Sequence, residues 1–160
     1  MAQIWHMGLT VANFDASLAY YRDVARMTVT ETLHRRSRAT DVLLGRKPGS
    51  TELKVAYLQA GSLVLQLMHY VVGGGEPIQP GHNRPGSPHL CFYVEDVRAT
   101  FDRIRARGDV TIIGEITQVA ATMLSFYTLD PDRMPVEFLQ VTPPVPDWQG
   151  SEDVQDGEAT

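Results

Sequence analysis

The sequence predicts an α+β fold in which two tandem βαβββ modules form a curled, mixed sheet around a cavity. The main observation is an internal repeat, since eight positions near the start match eight near the middle at a constant offset of 83. The final strands of the two halves match at an offset of 71 instead. The first set is His6, Leu9, Val11, Asn13, Phe14, Leu18, Tyr21 and Arg22, and its matches are His89, Phe92, Val94, Asp96, Val97, Phe101, Ile104 and Arg105.

Each copy begins with a short apolar strand that leads into a helix. Asn13 and Asp96 are the expected N-caps, because their side chains can accept hydrogen bonds from the free N–H groups of a first turn. Apolar residues then recur on one helix face, and Gly108 is expected to end the second helix. Three strands follow each helix. They are residues 28–35, 53–59 and 62–70 in the first copy, and 110–117, 122–129 and 135–141 in the second.

These elements divide the 160-residue chain into a first module (1–72), a linker rich in Gly and Pro (73–87), a second module (88–142) and a tail (143–160). The tail holds five of the 19 acidic residues and none of the 14 basic ones. The two modules are therefore neutral together, although the chain carries a net charge of -5. We expect the tail to be an acidic, flexible extension.

Composition excludes several classes of protein. A hydrophobic share of 43% and a charged share of 21% are ordinary for a soluble globular protein. The sequence has neither a long apolar run nor a basic leader, so we expect a cytoplasmic protein without membrane contact. A neutral body without a basic stripe argues against nucleic acid as a partner. The single cysteine, Cys91, has apolar neighbours and is predicted to be a buried thiol.

Polar residues interrupt the apolar pattern at matching places in the two copies. Gln66 and Glu137 lie between apolar residues of the last strands, so they should face away from the helices and into the cavity. His6 and His89 lie on the first strands and are equivalent under the 83-residue offset. A lone histidine is usually an ordinary polar residue, but four symmetry-related donors favour a metal site. Two imidazoles, an amide oxygen and a carboxylate suit a divalent first-row ion, so the cavity is expected to contain a metal.

With the paired modules, the pattern His6, Gln66, His89 and Glu137 resembles the vicinal oxygen chelate superfamily. This superfamily includes glyoxalase I, methylmalonyl-CoA epimerase, extradiol dioxygenases, fosfomycin-modifying enzymes and bleomycin-resistance proteins. The resemblance extends over residues 4–142, and the order His-Gln-His-Glu is similar to that of the epimerase. It implies one divalent ion (Ni, Co, Zn, Mn or Fe), a small-molecule substrate with two vicinal or 1,3-related oxygens, and a homodimer.

Two positions depart from the family pattern. Arg133 stands where the family's Asp-Pro-Asp turn usually has Gly, which would cost about 1 kcal/mol if this residue is left-handed. The catalytic Glu of the epimerase has no clean match, because Glu52 lies about two positions too close to its strand. Two residues therefore stay open as the catalytic base, Glu137 by leaving the metal and Glu52 by analogy.

Three functions remain open at this stage. The leading one is an epimerase-, isomerase- or lyase-type enzyme, in which the metal stabilises an enolate while a proton moves beside a carbonyl. The second is an Fe(II) extradiol-type dioxygenase using His6, His89 and Glu137, for which the sequence offers no clearly placed additional catalytic histidine. The third is a small-molecule binding or resistance protein. Members of that kind typically lose the ligands, whereas this chain keeps all four.

Overall fold

The computed structural model describes residues 2–143, so residues 144–160 of the predicted tail lie outside the described residues. It confirms the α+β class and the repeated order of elements. The elements are β1 (Met7–Thr10), α1 (Phe14–Ala19), a π-helical turn (Tyr20–Val24), β2 (Thr28–Arg35), α2 (Arg38–Leu43), β3 (Glu52–Ala60), β4 (Leu63–Val72), β5 (Leu90–Tyr93), α3 (Val97–Arg107), β6 (Thr111–Ala120), β7 (Met123–Leu129) and β8 (Pro135–Val141). None of the helices in this part of the chain is long and apolar enough to cross a bilayer.

The strands form two four-stranded sheets with the same topology. The first has the order β1-β4-β3-β2 and the second the order β5-β8-β7-β6, and in each the outer first strand is parallel to the last. Met7 is paired with Leu65, and Leu90 is paired with Val136. The second pair is displaced from the first by 83 and 71 residues, so the sheet register reproduces both predicted offsets.

Side-chain caps fix the starts of the two equivalent helices. The Asn13 side chain accepts a hydrogen bond from the N–H of Ala16 at 3.1 Å, and Asp96 accepts one from Ala99 at 2.9 Å. Helix α3 ends at Gly108, whose φ of 73° is left-handed and therefore suits glycine. The predicted caps are confirmed.

A third helix, α2, was not among the two helices that the sequence predicted. Ser37 caps it by accepting a backbone N–H from the first turn at 3.1 Å. The buried Asp41 then accepts the N–H of Gly49 at 2.7 Å, which closes the loop that follows. Arg46 donates to the carbonyl oxygen of Gly73 and so fastens the whole connection to the end of β4.

One hydrophobic core is shared by the helix sides of both sheets. It contains Leu67 of β4 and Phe138 of β8, which are almost completely buried, together with residues of α1, the π-helical turn and α3. Because side chains alternate along a strand, Gln66 and Glu137 point away from this core, each on the other face of its own sheet. We call the face of each sheet that points away from this core its open face.

Buried polar contacts lock the two halves together at the core. The Tyr21 hydroxyl donates to Oδ2 of Asp130 at 2.8 Å, and the Tyr20 and Thr128 hydroxyls are 2.5 Å apart. Arg103 of α3 donates to the carbonyl end of the π-helical turn at 3.0 Å. Burial raises the pKa of the Asp130 carboxyl above its ordinary value, and the Tyr21 hydrogen bond opposes that shift.

The same aspartate organises the turn between β7 and β8. Its Oδ1 accepts the backbone N–H groups of Asp132 at 3.0 Å and Met134 at 2.8 Å. Arg133 has a φ of 67° and is therefore left-handed, which is the condition under which the sequence predicts strain at this position. The hydrogen bonds of Asp130 hold it there despite the strain.

Candidate functional site

The open face of the second sheet brings His89 and Glu137 together. Nε2 of His89 lies 3.7 Å from Oε2 of Glu137, and the two side chains are 49% and 14% exposed. The first of these residues precedes β5 directly, and the second lies on the neighbouring strand β8. The parallel pairing of these strands therefore creates a nitrogen and oxygen donor pair that faces solvent.

Two hydroxyls hold the Glu137 carboxylate from strand β7. Ser125 donates to Oε1 at 2.6 Å and Tyr127 donates to Oε2 at 2.8 Å. Burial, followed by the hydrogen bond and charge of Glu137, raises the pKa of the Tyr127 phenol. The phenol therefore stays protonated and keeps donating to the carboxylate.

Cys91 lies on this open face, which corrects the prediction of a buried thiol. It is exposed and is paired in register with Glu137, because strand alternation places its apolar neighbours Leu90 and Phe92 towards the core. Although the residue is exposed, its sulfur is partly shielded. That shielding, followed by the charge of Glu137 and a hydrogen bond to it, raises the pKa of the thiol to about 12.

The open face of the first sheet carries the other predicted pair. The Gln66 side-chain amide donates to the Tyr57 hydroxyl at 2.6 Å, which directs one end of the amide and leaves its oxygen as an acceptor. The His6 ring meets the ring of Tyr57 edge-on, with centroids 6.1 Å apart. A Cβ at Gly8 would be in ordinary contact with Oε1 of Gln66 at 3.7 Å and in a tight contact with the end of Met68 at 3.2 Å.

The two pairs occupy equivalent positions. In the first sheet Gly8, Gln66 and Tyr57 lie in one row across three strands. In the second sheet the row is Cys91, Glu137 and Tyr127. In both rows a tyrosine hydroxyl forms a hydrogen bond with the predicted ligand, a symmetry that the sequence analysis did not identify.

The described chain does not bring the two pairs into one site. Within residues 2–143, no group of three or more His, Cys, Asp or Glu side chains is close enough to hold a metal ion. A cavity of about 540 Å³ lies between β1, the linker and the Asp130 turn, but it is lined by residues such as Leu9, His69, Ile78 and Met134. The described residues therefore present the donors as two pairs, and a single site with all four donors stays a prediction.

Glu52, the second candidate base, lies in a different environment. Its carboxylate is 2.8 Å from Nε2 of His34 and 3.7 Å from the Arg36 guanidinium. His34 is paired with Lys54, whose ammonium lies over the ring of Phe14 in α1, 5.8 Å from its centroid. This contact places the His34 side chain and its partner Glu52 towards the helix side of the first sheet, away from Gln66.

His82 is a site residue for which the sequence suggested no partner. The linker folds over the second open face and places the His82 ring edge-on to Tyr127, with centroids 4.5 Å apart. Its ring centroid is also 6.1 Å from that of His89. No periodic signal identifies a linker residue, because its position depends on how the loop folds over the sheet.

Comparisons with known proteins agree with this architecture. A model described as the Glyoxalase/Bleomycin resistance protein/Dioxygenase superfamily matches residues 3–138. A glyoxalase family protein from Bacillus cereus has a solved structure with a TM-score of 0.74 and 14% identity, covering 88% of this chain and 96% of that one. The fosfomycin resistance protein FosX from Listeria monocytogenes gives 0.63 and 18%, covering 89% and 96%. FosX has also been crystallised with Mn(II) and sulfate. No curated protein matches the chain.

Proposed function

Since this chain belongs to the glyoxalase/bleomycin resistance protein/dioxygenase superfamily, we propose that it is a divalent-metal-dependent enzyme that moves a proton beside a carbonyl group. The reaction would be an epimerisation, isomerisation or lyase reaction on a small molecule with two vicinal or 1,3-related oxygens. The observation that supports this proposal is that each open face carries one imidazole and one side-chain oxygen at equivalent positions.

The donor set suits the proposed ion. His6 and His89 supply nitrogen, Gln66 supplies an amide oxygen and Glu137 a carboxylate, which is a mixed set typical of sites for Mn, Fe, Co, Ni or Zn. When bound, a divalent ion polarises a carbonyl oxygen and offsets the negative charge that develops as the neighbouring proton leaves.

We propose that a homodimer completes the site, with the His6 and Gln66 pair of one chain meeting the His89 and Glu137 pair of its partner. The open faces point away from the shared core, so each chain offers two half-sites. The second open face also exposes Tyr93 and Ile113, which are 46% and 42% exposed.

Glu137 is the proposed base. Hydroxyls of Ser125 and Tyr127 hold both of its oxygens, which fixes the carboxylate beside His89 while its charge remains available to accept a proton. Glu52 remains the alternative base. Its contacts with His34 and Arg36 would have to open before it could act.

One observation favours the dioxygenase as a second candidate. The sequence offered no clearly placed histidine beyond the ligands, but the linker holds His82 next to Tyr127 and His89. Fe(II)-loaded protein that consumes oxygen with catechol, and does not exchange protons beside a carbonyl, would favour this reaction over proton transfer.

The shared metal site is tested by complementation between two variants. His6→Ala and His89→Ala homodimers should each lose most bound Mn(II). When the two variants are co-expressed with different tags, the purified heterodimer has one site lacking both histidines and one intact site, so metal content should recover to about half of wild type. His34→Ala is the matched control and should bind metal normally. No recovery in the heterodimer would contradict a site shared between chains.

The reaction is tested by solvent exchange with hydroxyacetone, which has two adjacent oxygens and exchangeable protons. In D2O, zinc-loaded wild type should accelerate loss of the hydroxymethylene proton signal in the NMR spectrum. Glu137→Gln should abolish the acceleration, and Glu52→Gln should retain it. If only Glu52→Gln abolished exchange with metal still bound, the base would be Glu52.

A further inference from the structure

Among the described residues, the strand positions around Glu137 on the second open face include no Lys or Arg. Alternation along the paired strands places Cys91, Tyr93, Leu139 and Ile113 on this face with Glu137. Glu137 is the only charged member of this set. A negatively charged substrate group would therefore meet a carboxylate here and no Lys or Arg.

The first open face has the same character near Gln66. Tyr57 and Met68 are its neighbours, and the charged residue in the same row is Glu31 of the edge strand β2. Two cations lie on this face. Arg35 is paired with Leu53, four residues further along β2 than Glu31. The Arg46 guanidinium lies 5.0 Å from the ring centroid of Tyr70, four residues along β4 from Gln66. At about 3.3 Å per residue each displacement is about 13 Å along its strand, and strand β3 also separates Arg35 of β2 from β4.

Carboxylate, phosphate and phosphonate groups are normally recognised by Arg or Lys, because these side chains supply opposite charge and several N–H donors. The walls here supply acidic and apolar groups instead. We infer that the site takes an uncharged substrate with an apolar, ring-sized or branched body. This inference rests on the proposed metal-dependent function and specifies its substrate class.

The exposed surface of the second open face fits such a body. Tyr93 on β5 and Ile113 on β6, at opposite edges of the sheet, remain 46% and 42% exposed, and Leu139 is half-buried on β8 between β5 and β7. The rings of His82 and Tyr127 form an aromatic side wall beside the Glu137 carboxylate. Apolar contacts of this kind bind through the area that they remove from water.

The test compares three hydroxamic acids that share one chelating group. Acetohydroxamic acid has a methyl body, benzohydroxamic acid has a phenyl body, and 4-carboxybenzohydroxamic acid adds a carboxylate to the phenyl ring. Their affinities for Mn(II)-loaded protein are measured by calorimetry and corrected with free Mn(II). Benzohydroxamic acid should bind at least about tenfold more tightly than either of the others, a difference well within calorimetric resolution.

A substitution on the open face separates charge from shape. Ile113→Arg adds a cation on the edge strand and should remove the preference against the carboxylated compound, whereas Ile113→Gln should keep it. Equal or tighter binding of 4-carboxybenzohydroxamic acid by wild type would overturn the inference, as would unchanged discrimination in Ile113→Arg. If none of the three compounds bound in a metal-dependent way, both the proposed metal site and the inferred substrate class would be wrong. Metal-dependent binding of all three compounds with equal affinity would contradict the inferred substrate class and leave the proposed metal site standing.

Discussion

The hydrogen bond between Tyr21 and Asp130 should contribute strongly to stability, because it joins the two halves of the chain inside the core. The Tyr21 side chain is completely buried, Asp130 is 5% exposed, and their oxygens are 2.8 Å apart. A hydrogen bond to a charged group contributes about 1.5–3 kcal/mol, and a neutral one about 0.5–1.5 kcal/mol. Tyr21→Phe should therefore lower the free energy of unfolding by about 1.5–3 kcal/mol at pH 7.

A matched control lies next to it in the sequence. Tyr20→Phe removes the neutral contact with Thr128, so it should cost only about 0.5–1.5 kcal/mol. Both variants keep the ring in the core, which separates the hydrogen bond from the packing. The assay is urea denaturation followed by circular dichroism, with wild type and both variants measured at pH 3.5 and pH 7.

The pH dependence of the loss follows from the carboxyl of Asp130. Its pKa is raised by burial, so its contribution to stability is present below the pKa of the unfolded chain and is lost as the pH rises through the folded value. The Tyr21 hydrogen bond limits that loss because it lowers the folded pKa. Tyr21→Phe should therefore cost more at pH 7 than at pH 3.5. Equal penalties for the two tyrosine variants at both pH values would refute this reasoning.

Three further predictions concern the site and the β7–β8 turn. Bound Mn(II) should fall as the pH is lowered, because a protonated imidazole has no lone pair for a metal, and unchanged occupancy in dialysis down to pH 5.5 would count against His6 and His89 as ligands. Cys91 should react with a thiol reagent at pH 8 at least about tenfold more slowly in the folded protein than in urea, and Glu137→Gln should speed it up. Equal rates in folded and unfolded protein would contradict the raised pKa. Arg133→Gly should raise the free energy of unfolding by about 0.5–1 kcal/mol in the same denaturation assay, since its φ is 67°, and a loss of stability would show that the arginine is not strained.

Local and periodic signals made most of the fold predictable. Caps such as Asn13 and Asp96 act within four residues, and the repeat fixes the strand register because a one-residue slip would turn every apolar side chain away from the core. The sequence missed α2, because its apolar residues are consecutive and exposed and show no helical period. Val42 and Leu43, for example, are 62% and 85% exposed.

The site was less predictable than the fold, because it depends on how distant elements meet. Strand alternation correctly placed Gln66 and Glu137 opposite the core side chains, but it contains no information on how two sheets pack. The same alternation places Cys91 on the open face, whereas the apolar character of its neighbours favours burial. His82 depends on the path of a linker, which no short-range pattern determines.

The equivalence of the two rows has a stereochemical consequence. Tyr57 and Tyr127 occupy matching positions, yet the residue that each one contacts is a neutral amide in one half and a carboxylate in the other. A planar substrate lying between two such half-sites would find a proton acceptor beside only one of its faces. Duplication alone would give two equivalent half-sites; the change from Gln66 to Glu137 would give the proposed site a proton acceptor on one side only.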